Sequence, residues 1–373
     1  MASGITSAST AARAFAANVA EGFSLSLGEG VGVTVVALAF ILLVAAVNFR
    51  GVGESVAANV VLTLVELTGL LFIIAVGAVA LGGGEGDLSR VTQFETGSGG
   101  VFGSVTTATA LAFFAMVGFE DSVNMAEETR DPARVFPRVM LLGLAVTGLV
   151  YVLVSISAVA LVPVEQLGEG DTPLLQVVRA GAPGFPLGIF AFVTMFAVAN
   201  SALINMLMAS RLMYGMSRQT VIPAVFGRVH AGRRSPWVAI LVTTGMAVAL
   251  ITVVGRVPAL GGTTALLLLC VFAVVNVAVL VLRREPVSHR HFRTPTALPV
   301  VGALACAFLA SPLVERDPAQ YRTAGVLLAV GVLLWLVAAA YTKRRYGGAT
   351  LARDPALLER GPGEDAGPQR PAG

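Results

Sequence analysis

The stretch from Phe113 to Arg138 reads FFAMVGFEDSVNMAEETRDPARVFPR. An apolar run passes through Gly118, meets Glu120 and Asp121, then Glu127 and Glu128, and leaves through Arg130, Arg134 and Arg138 with Pro132 and Pro137 between them. A helix serving only as an apolar post would not carry charges so close to its body. The pattern fits a helix that breaks at Gly118. A broken helix presents free N–H and C=O groups, and the dipole of each half, to a charged small molecule. That would place Phe114, Ala115, Met116, Val117, Gly118 and Phe119 at a binding site. The plainer alternative is a glycine tolerated in a continuous packed helix, as small residues often are in membranes.

Other polar residues inside apolar runs are candidates of the same kind. Glu66 lies within the run at 57–82. An ionisable group there is costly, so a functional role is the default hypothesis, proton uptake and release being the obvious one. A glutamate hydrogen-bonded to a neighbouring helix, with no coupling role, weighs equally. Asn200, Ser201 and Asn205 share much of one helix face. They suit either a cavity lining and ion coupling or hydrogen-bonding between helices, and for Asn205 the second is favoured. Asn276 is a weaker case of the same kind. Glu127, Glu128 and Arg130 form a candidate inner gate against the basic loop at 211–234, or simply a solvated charged loop. His289 and His291 form an isolated HxH, a poor metal signal. No serine has the partners of a triad, and no GxxxxGK[ST] occurs. The chain therefore reads as neither an enzyme nor an ATP-driven pump, with no cofactor and no metal.

These residues must be positioned by membrane helices. The chain is 56% hydrophobic and 13% charged, with mean hydropathy +0.82, against about 25% charged in soluble domains. A span takes about 20 apolar residues. Nine runs qualify or come close, at 31–48, 57–82, 101–119, 139–162, 186–208, 237–254, 262–282, 297–314 and 323–341. Helices satisfy their backbone without water, and the ten-residue alternation of a β-barrel is missing. The net charge of +3 and pI near 9.2 do not call for nucleic acid. Arginine and lysine concentrate in alternate loops, which the positive-inside rule makes cytoplasmic, the C-terminus included. Cys270 and Cys306 both sit in apolar runs, as packed thiols rather than a disulfide pair. Met1 to Ala20 is too small and polar for a confident span and has no signal-peptide pattern. It reads as the outer part of a helix. The tail beyond Gly347, rich in Gly, Pro and charge, reads as disordered.

Three segments carry a family resemblance. FAMVGFED followed by AEETRDPARVFPR, in Phe114–Arg138, is one. NSALINMLMASRLMYGMSRQTVIPAVFGRVHAGRRSPWVAI, from Asn200, is another, and NFRGVGESVAANVVLTLVELTGLLFII, at 48–74, is the third. Together they resemble the amino acid–polyamine–organocation (APC) superfamily of permeases, over residues 1–342. The resemblance implies an all-α, multi-pass membrane bundle of the APC/LeuT-like inverted-repeat type. Residues 1–20 match the end of the family's third helix, residues 21–342 its helices four to twelve, and 343–373 a cytoplasmic tail. The first two helices have no counterpart, so the first repeat is expected to be incomplete. By resemblance the substrate ammonium meets carbonyls of Phe114 to Gly118, and Phe114 and Phe119 gate or pack on its side chain. Several related permeases have a lysine where Glu66 stands, which puts a lysine-based coupling scheme in doubt here. The expected function is secondary-active transport of amino acids or related amines in the cell membrane, with protons as a candidate partner and the oligomeric state open. The alternative is a truncated fragment with no transport of its own.

Overall fold

The computed structural model describes residues 1–25, 28–51, 56–94, 100–119, 131–219, 221–230, 232–233, 235–254, 256–284 and 292–346. Among them every regular element is a helix. Six helical segments are long and apolar enough to cross a membrane, and three shorter apolar helices accompany them, at Gly100–Met116, Trp237–Val253 and Ala297–Ala310. Each of the nine apolar runs of the sequence therefore carries a helix.

The first helix, α1 (Ala2–Gly22), is not among those nine runs. Its 21 residues rise about 30 Å, enough to span a bilayer core. Its composition is mostly Ala, Ser, Thr and Gly, and that composition suits it to the interior. Small side chains let neighbouring backbones approach closely. Ile5, Ala8, Ala12 and Ala16 are wholly buried. Against α1 pack α2 (Val33–Arg50), α8 (Leu187–Arg218), α9 (Trp237–Val253) and α10 (Val257–Leu282). A Cβ on Gly22 would run into Ala191 of α8, so the two helices touch there because Gly22 has no side chain. Phe15 stacks on Phe40 of α2 at 4.0 Å. Two buried hydroxyls of α1 are satisfied locally: Ser9 and Thr10 donate back to the carbonyls of Ile5 and Thr6. Thr264 of α10 donates to Thr6 across the helix interface at 2.6 Å.

A second cluster joins α3 (Val56–Gly82) and α5 (Pro132–Leu161) to α8. It is capped by two short helices, α6 (Val164–Leu167) and α7 (Pro173–Gly181). Leu175, Val177 and Val178 of α7 turn their side chains into this cluster, so the connection at 162–186 is a folded cap rather than an open loop. Helices α4 (Gly100–Ala112), α11 (Ala297–Ala310) and α12 (Pro318–Tyr346) complete the bundle around α10.

Candidate functional site

The chain breaks where the sequence indicates. Helix α4 ends at Ala112, tightens into a 3-10 turn over Phe113–Met116, and becomes extended at Val117. Gly118 then takes φ +121°. This backbone conformation costs any side-chain-bearing residue roughly 1–3 kcal/mol, which is why glycine stands there. Nothing lies within 4 Å of where a Cβ would sit, so the demand at Gly118 is conformational rather than steric.

The break faces a cavity of about 350 Å3, at the lower end of small-molecule sites. Ala115, Met116, Val117 and Phe119 form one wall. A stripe of α5 forms the other, including Phe136, Met140, Leu144, Thr147 and Tyr151 at helical spacing. Phe114 does not line the cavity. Its ring packs against Gly261 of α10, 3.1 Å from where a Cβ there would be. Phe113 and Phe119 both meet Phe272 of α10, with centroids at 6.0 and 5.3 Å. Phe114 therefore anchors the break, whereas Phe119 both lines the cavity and leans on α10.

Glu66 and Asn200 come together. The Asn200 amide donates to Oε1 of Glu66 at 3.3 Å, joining α3 to α8. Tyr151 of α5 lines the cavity, whereas Glu66 and Asn200 do not. Ser201 presents an exposed side chain beside Asn200. Asn205 folds back onto the Ser201 carbonyl of its own helix at 2.9 Å, and Asn276 likewise onto Phe272 at 2.8 Å. Among the described residues neither shows a side-chain hydrogen bond to another helix. Glu120, Asp121, Glu127, Glu128, Arg130, His289 and His291 lie outside the described residues. Of the basic loop after α8, Arg233 sits over the ring of Phe49 at 4.8 Å, and His230 meets the same ring edge-on. Among the described residues no three side chains could hold a metal ion.

Two features of this site were not legible in the sequence. Thr147 and Tyr151 sit one turn apart in an apolar run, and that polar stripe was the available signal. Arg316 is the other, a buried guanidinium at 7% exposure. It donates to the carbonyls of Ala110 on α4, Leu309 on α11 and Gly262 on α10, and to Gln320 Oε1 on α12, at 2.9–3.1 Å. Thr107 adds a bond to the Val314 carbonyl at 2.7 Å. The last turn of α4 before the break is thus pinned by one cation at the carbonyl end of the helix, where the helix dipole favours positive charge.

A family profile described as amino acid permease matches residues 1–341. The chain belongs to the amino acid permease family, within the APC superfamily. Its all-α, multi-pass bundle is the architecture expected of this family. The relatives are distant but consistent. The branched-chain amino acid permease BcaP of Bacillus subtilis is 28% identical over 261 residues, 70% of this chain and 54% of that protein. An uncharacterized transporter, Rv1999c, of Mycobacterium tuberculosis is 29% identical over 310 residues, 83% of this chain and 67% of that protein. A methylthioribose transporter of Bacillus subtilis is 28% identical over 313 residues, 81% of this chain and 63% of that protein. The chain thus matches between about half and two thirds of the length of these permease relatives.

Proposed function

We propose that this permease-family chain moves amino acids or related amines across the cell membrane as a secondary-active carrier. One observation carries the reading: the main chain leaves helical geometry at Val117–Gly118, after the 3-10 turn Phe113–Met116, and a half-open cavity of about 350 Å3 lies between this break and a stripe of α5. Carbonyls of an unwound segment suit a substrate ammonium. The apolar wall of Phe136, Val139 and Leu144 suits an apolar side chain. The name of the branched-chain permease relative supports the same substrate class. In this reading Glu66, tied to Asn200, exchanges a proton as the bundle alternates access. The arginine-rich loops, with the C-terminus, face the cytoplasm.

The test is leucine uptake into proteoliposomes. Gly118→Ala should lower uptake about tenfold or more, from the backbone strain it introduces, with the protein still monodisperse in detergent. Undiminished uptake would remove the broken segment from the transport path. Glu66→Gln should flatten the pH dependence of uptake while leaving some transport. A pH profile identical to that of the unmodified protein would eliminate Glu66 as the coupling group.

A further inference from the structure

The end of the bundle that carries α7 holds a second cavity, of about 420 Å3, distinct from the one beside the helix break. Its walls are the last turns of α1, the start of α2 and the segment leading into α7. Three charged side chains line it: Arg13, Glu21 and Asp171. They are not equivalent. Glu21 is already engaged, accepting from the Thr172 hydroxyl at 2.9 Å and from Arg179 at 3.0 Å. Arg13 is half engaged. Nη1 donates to the Thr34 hydroxyl at 2.7 Å, whereas Nε is buried without an acceptor. Asp171 has no ion-pair or hydrogen-bond partner among the described residues, and burial pushes its carboxyl up despite the opposing pull of Arg13 and exposed Arg256. Arg13 and Asp171 therefore face one space with opposite charges that do not pair with each other. Both are half-buried, so each keeps bonding capacity toward the open side of this space. Between them the lining is aliphatic: Ala17, Ala20, Leu25 and Val33.

We propose that this open recess is a second binding site, for a small aliphatic zwitterion such as an apolar α-amino acid. The ligand carboxylate accepts from the Arg13 guanidinium, where planar N–H donors match a carboxylate. The ligand ammonium donates to the Asp171 carboxylate. The side chain rests on Ala17, Ala20, Leu25 and Val33. Neither charge on the ligand has to find a partner from the solvent, and Glu21 stays with Thr172 and Arg179 to hold α1 against the α7 cap. The site stands independently of the transport path beside Gly118, since it shares no residue with that cavity.

Equilibrium binding of radiolabelled L-leucine to the full chain in nanodiscs tests this, with N-acetyl-L-leucine and L-leucinamide as competitors. The first analogue lacks the ammonium, and the second lacks the carboxylate. Asp171→Asn should weaken leucine and leucinamide by about tenfold or more and leave N-acetyl-leucine unchanged. Arg13→Gln should do the reverse, weakening leucine and N-acetyl-leucine and sparing leucinamide. This crossed pattern cannot arise from general misfolding. Should Arg13→Gln not fold, the Asp171→Asn half of the pattern decides by itself. The proposal fails if leucine does not bind at millimolar concentration. It fails too if leucine binds equally well to Asp171→Asn, or if both analogues change together. In the second of these cases leucine occupies the Gly118 cavity alone, and the transport reading survives.

Discussion

Helices α1 and α5 make opposite use of their sequences. Helix α1 is the less apolar, yet nine of its 21 residues are buried, among them Thr6, Ser9, Thr10 and Asn18. Helix α5 is a long apolar run, yet only Ser157, Ala158 and Ala160 are buried among its 30 residues. In water this would be inverted. In lipid, apolar side chains gain nothing by leaving the acyl chains, so helices associate through close packing of small residues and through hydrogen bonds. Hydropathy alone does not sort the helices: α10 has the highest hydropathy of the six long helices, yet Leu260 to Leu269 are all buried. Small-residue content reports which helix lies inside.

The contrast can be broken most directly by bulk. Ala12→Leu on α1, at a wholly buried position, should destabilise the protein by about 1–3 kcal/mol or more through overpacking. The matching Gly148→Leu on α5, where nothing lies within 4 Å of a Cβ, should change stability by less than about 0.5 kcal/mol. Thermal unfolding in nanodiscs reads both, and equal shifts would overturn the assignment of α1 to the interior. Gly22→Ala should cost about 1–3 kcal/mol, because its methyl group meets Ala191. Adding Ala191→Gly should restore most of it, and additive losses would show that the two helices do not meet there. The smallest effect belongs to the Thr264–Thr6 hydrogen bond. Thr264→Val should lose about 0.6 kcal/mol, the average for such bonds within membranes. A loss above about 2 kcal/mol would mean that this pair holds α1 to α10 far more than its packing does.

Much of the candidate site was readable from residue type alone. A glycine before two acids at the end of an apolar run marked the break, and Gly118 does adopt a conformation that only glycine takes without strain. Glu66 and Asn200 stood out as polar groups in apolar runs, and they bond to each other. Phe114 was harder. Its neighbours Ala115 and Met116 face the cavity, whereas Phe114 packs on Gly261. In a 3-10 turn successive side chains point about a third of a turn apart, so adjacent residues face different neighbours. No spacing rule assigns those neighbours without knowing where α10 lies. Asn205 shows the same limit from the other side: an amide one turn along from Asn200 bonds within its own helix.

Residue type and spacing are enough to assign the helical class, the nine apolar runs and the site of the break. Each follows from local chemistry: backbone groups that lipid cannot satisfy, and a glycine where the chain must turn out of helical geometry. Only the tertiary structure decided that the small, polar first helix lies at the centre. It alone brought Arg316 onto the carbonyl end of α4 from 206 residues away, and set Arg13 and Asp171 across one recess. Those placements depend on which helix faces approach each other. In a membrane that choice is made by shape and by a few hydrogen bonds between distant residues, which leave little trace in hydropathy or in local spacing.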